Sequence, residues 1–307
     1  KNRIYKLTYA GIALGVVIIP IVASYIIGLK SETSAQERVA VVCVQPNSDP
    51  YHDKFSSNFN QQFKHIWLPL KNHLTAGTDL VVFPETFVSQ AFDLKILKHS
   101  YILQTLRDSI FKYAPKARIL TGLASYQIFE PGEAPSHTAR STAEPGYYID
   151  FFNSAWWIDS LNSEYYHKSK LVPGSEIIPF SFLLKPLESL ALNLGGTTGS
   201  LGTQKNRAVF KSKGSKIVAA PIICYESIYS DYVRDYTQLG ANIFCIITND
   251  GWWENTPGYK QHLRYAQLRA IENHRCIVRS ANTGISAFIY PDGHIEQRTF
   301  WWNTQVI

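Results

Sequence analysis

The sequence predicts an α/β sandwich preceded by one membrane-spanning helix, and three observations carry that expectation. Short apolar runs alternate with longer amphipathic segments along most of the 307 residues, the pattern of a domain in which helices cover sheets. Leu7 to Leu29 contains no charged residue. Apolar residues make up 45% of the chain and charged residues 18%, enough for a large buried core and too apolar for disorder.

Taken in order, the uncharged stretch comes first. As a helix at about 1.5 Å per residue it reaches roughly 34 Å, enough to cross a bilayer with some tilt. Pro20 is expected to kink it. A signal peptide would have an apolar core of only about 7–15 residues, so a span is the better reading. Lys1, Arg3 and Lys6 precede it, whereas Lys30 is followed by Glu32 and Glu37; the positive-inside rule then puts the N-terminal flank in the cytoplasm and everything after Lys30 outside. Residues 31–38 read as a polar linker, and residues 39–307 as one domain. The chain has no methionine, position 1 included, and is expected to be a piece of a longer protein.

Within the domain, 39–45 reads as a strand, 51–74 as an amphipathic helix, and the apolar run Leu80 to Phe83 as a strand closing on Pro84-Glu85. A second helix is expected over 94–113, a strand over 117–126, a polar loop over 130–146, and paired strands over 147–159 and 164–167. Pro179 to Leu194 is strongly apolar and is read either as a core helix or as a lid that dips into lipid. Ala219 to Ile223 is a buried strand, followed by a helix over 226–239, a strand over 241–248, a helix from Gly258 to Glu272, and strands over 276–279 and 284–290.

Chemistry concentrates at strand ends. Cys224 follows a buried strand and precedes a helix-like segment, where backbone N–H groups favour a thiolate and an oxyanion, although a lone cysteine there also serves as packing. Glu85 closes another strand, and Lys168 follows an aromatic strand, with Lys170 a competitor for the same role. Cys43, Cys245 and Cys276 lie in apolar runs and read as small buried hydrophobes. The nine histidines lack metal-ligand spacing, and Gly195, Gly196, Gly199 and Gly202 lack dinucleotide-binding spacing, so no metal or other cofactor is expected. The formal charge of +6 suits anionic lipid. Nucleic acid is set aside because zinc-finger spacing, an RNA-binding aromatic motif and a long basic run are all missing.

Together, Phe83-Pro84-Glu85, Lys168-x-x-Leu171-Val172-Pro173 and Ile223-Cys224-Tyr225-Glu226 resemble the Glu-Lys-Cys triad of the nitrilase (carbon-nitrogen hydrolase) superfamily, and within it the apolipoprotein N-acyltransferase family. The resemblance spans roughly residues 39–295 and implies a four-layer α-β-β-α sandwich, with Cys224 as nucleophile, Glu85 as base and Lys168 stabilising the oxyanion and the thiolate. It also implies supporting roles for Glu176, Asn153, Tyr225 and Glu226. Trp252 and Trp253 are expected to line an acyl channel or else to pack the core. Pro173-Gly174-Ser175-Glu176 departs from the family's usual Pro-Phe-Gly-Glu, because the glycine has moved. On their residue types alone Glu85, Glu176 and Glu226 also suit ordinary salt bridges. The implied partners are a phospholipid acyl donor, a diacylated lipoprotein acceptor and the bacterial inner membrane, with the domain on its periplasmic face. Two other readings stand beside this one: a membrane-tethered amidase that uses water as acceptor, and a non-catalytic scaffold that binds lipid or lipoprotein.

Overall fold

The structure, a computed structural model, describes residues 2–30, 38–51, 58–177 and 200–307. The apolar segment 179–194 and nearly all of the polar linker lie outside the described residues. The chain divides into two units, Lys1–Arg38 and Val39–Ile307.

The first unit is helix α1, Asn2–Lys30, which continues through Pro20. Its segment Ile4–Ile26 is long and apolar enough to cross a membrane. The Thr8 hydroxyl donates back to the Ile4 carbonyl at 3.0 Å, which satisfies a polar group on a largely apolar helix.

The second unit is built on two sheets. The first contains β1 (Val41–Gln45), β2 (Leu80–Val82), β3 (Val88–Asp93), β4 (Arg118–Phe129), β5 (Arg140–Ser141), β6 (Tyr148–Ile158), β7 (Ser163–His167) and β14 (Gln305–Val306). β1, β2 and β4 run parallel, while β6 is antiparallel to β4 and β7 to β6. The second sheet runs β13 (Ile295–Arg298), β12 (Ala287–Ile289), β11 (Cys276–Ala281), β10 (Ile243–Thr248), β9 (Val218–Ile223) and β8 (Phe210–Lys211), with β9, β10 and β11 parallel. Helices α2 (Phe59–His73) and α3 (Tyr101–Ile110) belong with the first sheet; α4 (Ser230–Gln238) and α5 (Gly258–Asn273) belong with the second.

Three apolar clusters define four layers. Phe63, Ile66 and Leu70 of α2, with Leu103 and Leu106 of α3, pack on Val42, Val81, Ile119 and Trp156 of the first sheet. Cys43, Val82, Leu120 and Trp157 point the other way and meet Ile223, Cys245 and Val278 between the sheets. Ile222, Phe244 and Ile246 face outward again onto Tyr232, Val233 and Leu263. Neighbours such as Trp156 and Trp157, or Ile222 and Ile223, serve different layers because successive strand side chains point to opposite faces. Both faces of each parallel core are covered, which explains why these strands read as continuous apolar runs. The four-layer α-β-β-α sandwich implied by resemblance is the observed fold.

Several boundaries differ from expectation, each for a local reason. α2 begins at Phe59 because Asn58 and Gln61 form a reciprocal cap, the Gln61 N–H donating to Asn58 Oδ1 at 3.0 Å and the Asn58 N–H to Gln61 Oε1 at 3.1 Å. α3 starts at Tyr101, where the Ser100 hydroxyl accepts from the Leu103 N–H at 3.3 Å. The helix expected over 226–239 is split into a 3-10 turn, Cys224–Ile228, and α4. β8 and β14, two residues each, are too short to show a period; β3 meets β4 through an irregular register.

Candidate active site

Glu85, Lys168 and Cys224 all follow strands. Cys224 comes directly after β9, Lys168 directly after β7, and Glu85 three residues beyond β2. The Glu85 turn packs so closely on β4 that a Cβ at Gly122 would lie 2.5 Å from the Glu85 Cα. A glycine in mid-strand is therefore required where the backbones meet. The Lys168 N–H continues the β6–β7 pairing by donating to the Asn153 carbonyl at 2.8 Å.

The side chains then form a closed set. Lys168 Nζ donates to Glu85 Oε1 at 3.0 Å and to Glu176 Oε1 at 2.9 Å. Asn153 Nδ2 donates to the same two atoms at 2.7 and 2.9 Å. One ammonium and one amide thus bridge two carboxylates, and Glu176 Oε2 accepts from the Val172 N–H at 2.8 Å. Lys168 is 1% exposed. Burial alone would lower its pKa, but Glu176 and Glu85 outweigh that and hold it well above the usual lysine range. The ammonium therefore keeps its proton.

The displaced glycine of the 173–176 loop does not spoil this arrangement. Gly174 takes the left-handed conformation, φ 88°, and the loop folds Glu176 back onto Lys168. Lys170 is elsewhere, with its ammonium 5.2 Å from the Tyr229 ring centre and 5.8 Å from that of Tyr232. It is Lys168 that joins the carboxylates.

Cys224 is buried and has φ 49°, a left-handed conformation rare for a residue with a side chain. Its thiol lies within electrostatic reach of Glu85 and Lys168. Burial, then Glu85, push its pKa up; Lys168 opposes them and is outweighed, so the pKa rises well above the ordinary thiol range. Lys168 thus acts on the thiol in the expected direction, toward the thiolate, but burial and Glu85 outweigh it. The helix start expected to assist is only a short 3-10 turn.

Glu226 is fully buried and accepts from the Ile223 N–H at 2.8 Å, the Ser169 N–H at 2.7 Å, and the Tyr166 and Tyr232 hydroxyls, each at 2.9 Å. Those two hydroxyls also contact each other. Glu226 is thus a backbone anchor for the Cys224 turn, held by neutral donors instead of the salt bridge its residue type suggested. Glu85 and Glu176 do pair with a cation, one they share. Tyr225 is partly exposed and meets the Tyr229 ring edge-on at 5.3 Å.

A family model described as carbon-nitrogen hydrolase matches residues 38–307. The chain belongs to the carbon-nitrogen hydrolase family. Among its relatives is the apolipoprotein N-acyltransferase of Chlorobaculum tepidum, 29% identical over 285 residues that cover 90% of this chain and 51% of that protein. The Sinorhizobium fredii protein of the same name is 34% identical over 215 residues, 69% of this chain and 36% of its own. The chain thus spans about half the length, or less, of these curated relatives. In fold it is similar to a CN-hydrolase superfamily protein from Xanthomonas campestris, with TM-score 0.55, 18% identity and 89% of each chain covered. A branch 10 nitrilase-superfamily protein from Saccharomyces cerevisiae gives TM-score 0.59 at 15% identity, covering 89% of this chain and 91% of that one. Family and acyltransferase-named relatives together support an enzyme.

In this carbon-nitrogen hydrolase domain Trp252 and Trp253 are 44% and 38% exposed, so neither packs the core. Trp252 meets Tyr51 edge-on at 5.3 Å, and Trp253 meets the His262 ring edge-on at 5.3 Å. Sequence reasoning gave no role to Gly122, Ser227, Asp250, His262 or Arg279. Arg279 left one signal, a charge inside the apolar strand β11, which only a buried counter-charge explains. That partner is Asp250, 2.7 Å away.

Proposed function

We propose that the chain carries the catalytic domain of an apolipoprotein N-acyltransferase. It moves an acyl chain from a phospholipid, through a thioester on Cys224, to the N-terminal amine of a diacylglyceryl-cysteine lipoprotein. The observation that supports this most is the set of buried Glu85, Lys168 and Asn153 with partly buried Glu176, within electrostatic reach of Cys224.

A thiol kept protonated by burial needs a base to become a nucleophile. Glu85 takes its proton as sulfur adds to the donor's ester carbonyl, while Lys168, which holds its own proton firmly, stabilises the oxyanion together with a backbone N–H near Tyr225. Collapse breaks the acyl C–O bond, and the leaving alkoxide takes the proton from Glu85. The acceptor amine then opens the thioester, Glu85 receives the amine proton, and the departing sulfur recovers it. Asn153 and Glu176 hold Glu85 and Lys168 in register, and Glu226 holds the Cys224 turn. Trp252 and Trp253 line the acyl path. The span α1 anchors the domain at the inner membrane, on its periplasmic face.

Incubating the membrane-embedded protein with acyl-labelled phospholipid is expected to give a hydroxylamine-sensitive label on Cys224 that Cys224→Ala abolishes. Ammonia release from small amides without such a label would favour the amidase reading. Intact complementation of an acyltransferase-deficient strain by Cys224→Ala would favour the non-catalytic scaffold.

A further inference from the structure

Behind the nucleophile turn lies a buried chain of side chains that the proposed reaction leaves unused. Asp250 accepts from Arg279 Nη2 at 2.7 Å and from the Thr248 hydroxyl at 2.9 Å. His262 Nδ1 lies 2.9 Å from Asp250 Oδ1 and 3.1 Å from Arg279 Nη2. His262 Nε2 lies 2.8 Å from Ser227 Oγ and 3.1 Å from the carbonyl oxygen of Cys224. The Ser227 hydroxyl is 2.7 Å from that same carbonyl. Ser227 and Asp250 are fully buried and His262 nearly so.

The order Asp–His–Ser resembles a serine-hydrolase relay, but counting protons assigns it a different task. A carbonyl oxygen only accepts, so the Ser227 hydroxyl spends its one proton on Cys224 and can only accept from His262. Both partners of His262 Nε2 are then acceptors, and Nε2 carries a proton. Nδ1 faces a carboxylate and a guanidinium, so one or the other holds the ring whether or not Nδ1 is protonated. The result is an N–H donor aimed at the carbonyl of the nucleophile.

What that donor restrains is a backbone that needs restraint. Cys224 has φ 49°, a conformation that persists only where its surroundings impose it. On the other side of the turn, the Ile223 N–H is held by Glu226 Oε2 at 2.8 Å. The 222–223 and 224–225 peptides that flank the turn are therefore pinned separately. The edge-on Trp253 ring covers the imidazole on a further side.

We propose that His262 is a positioning residue for Cys224: held at Nδ1 between Asp250 and Arg279, its Nε2–H and the Ser227 hydroxyl grip the Cys224 carbonyl and keep the left-handed turn that presents the thiol to Glu85 and Lys168. The inference rests on Cys224 being the nucleophile of the reaction above. Its test uses a p-nitrophenyl acyl ester with the full chain in membranes. Thiol attack on that ester breaks the acyl C–O bond, passes the thiol proton to Glu85 and releases one p-nitrophenolate per site as a burst, with no need for phospholipid or lipoprotein.

His262→Ala is expected to slow the burst about 100-fold in its folded fraction, the scale of a nucleophile misplaced by roughly an ångström, with the ester's KM unchanged. His262→Gln, whose amide N–H reaches toward the same carbonyl, is expected to recover about tenfold of that loss. Ser227→Ala, which removes the other donor and is the milder change, is expected to cost about tenfold. A wild-type burst rate in folded His262→Ala or Ser227→Ala, or equal loss in the Ala and Gln variants at His262, would overturn the proposal, as would the lack of any burst from the wild type. A His262-dependent burst from a protein that takes no label from phospholipid would uphold the clamp and reject the acyltransferase reading.

Discussion

Replacing Gly122 by alanine tests whether the position of Glu85 matters. The added Cβ would lie 2.2 Å from the Thr86 nitrogen, 2.5 Å from the Glu85 Cα and 2.5 Å from the Pro84 oxygen. Non-bonded carbon atoms rest at about 3.5–4.0 Å, so the backbones must part by roughly 1 Å. All three contacts are main chain, and no rotamer change relieves them. β4 is held by β2 on one side and β6 on the other, so the 84–86 turn is the part that yields. A shift of that size in a catalytic base costs about 100-fold in rate, and overpacking costs about 1–3 kcal/mol of stability. Single-turnover formation of acyl-Cys224 is the assay, read on the folded fraction. Gly77→Ala is the control, since its Cβ would meet nothing closer than 3.8 Å. A Gly122→Ala protein that folds and acylates at the wild-type rate would refute the role assigned to Glu85.

Lys168→Met leaves buried Glu85 and partly buried Glu176 without the cation that both face, and is expected to destabilise the domain by about 3–5 kcal/mol in guanidinium unfolding. Adding Glu176→Gln should restore part of that stability and none of the labelling. Asn153→Leu removes the amide bridging the two carboxylates; a loss of about 1–3 kcal/mol in the same unfolding measurement, with slower labelling, is expected. The Cys43 thiol is pushed by burial from 9.0 to about 12, with Ser280, Ser286 and Arg279 opposing. The unfolded chain then loses this proton first. The contribution to stability is full below pH 9.0 and is lost as pH climbs toward about 12. Unfolding free energies measured across that range should fall less steeply with pH in Cys43→Ala than in wild type.

Much of the site was legible because its groups stand at strand ends, and a strand end is a local property of the chain. Leu80 to Phe83 and Ala219 to Ile223 announce buried strands by composition alone, and Glu85 and Cys224 are the first reactive groups past them. Gly122 was not legible in the same way. It lies against Glu85 only because β2 and β4 pair with Val82 opposite Leu120, a register no single segment encodes. His262 and Asp250 were visible as residues, but a histidine on a helix and an aspartate in a turn carry no sign of each other until α5 packs beside the 3-10 turn that follows Cys224. The expected helix at Glu226 failed for a related reason. The Glu226 carboxylate and the Ser227 hydroxyl bond back to the main chain of the turn and tighten it.

From the sequence alone came the α/β class, the apolar span and the residue types able to perform acyl transfer, because hydropathy, periodicity and turn chemistry are written within a few residues of each other. The tertiary structure decided which lysine meets the carboxylates, which conformation Cys224 adopts and that its thiol rests protonated. Those outcomes depend on distances between segments remote in sequence and on how much water each charge loses, and both exist only once the two sheets have closed.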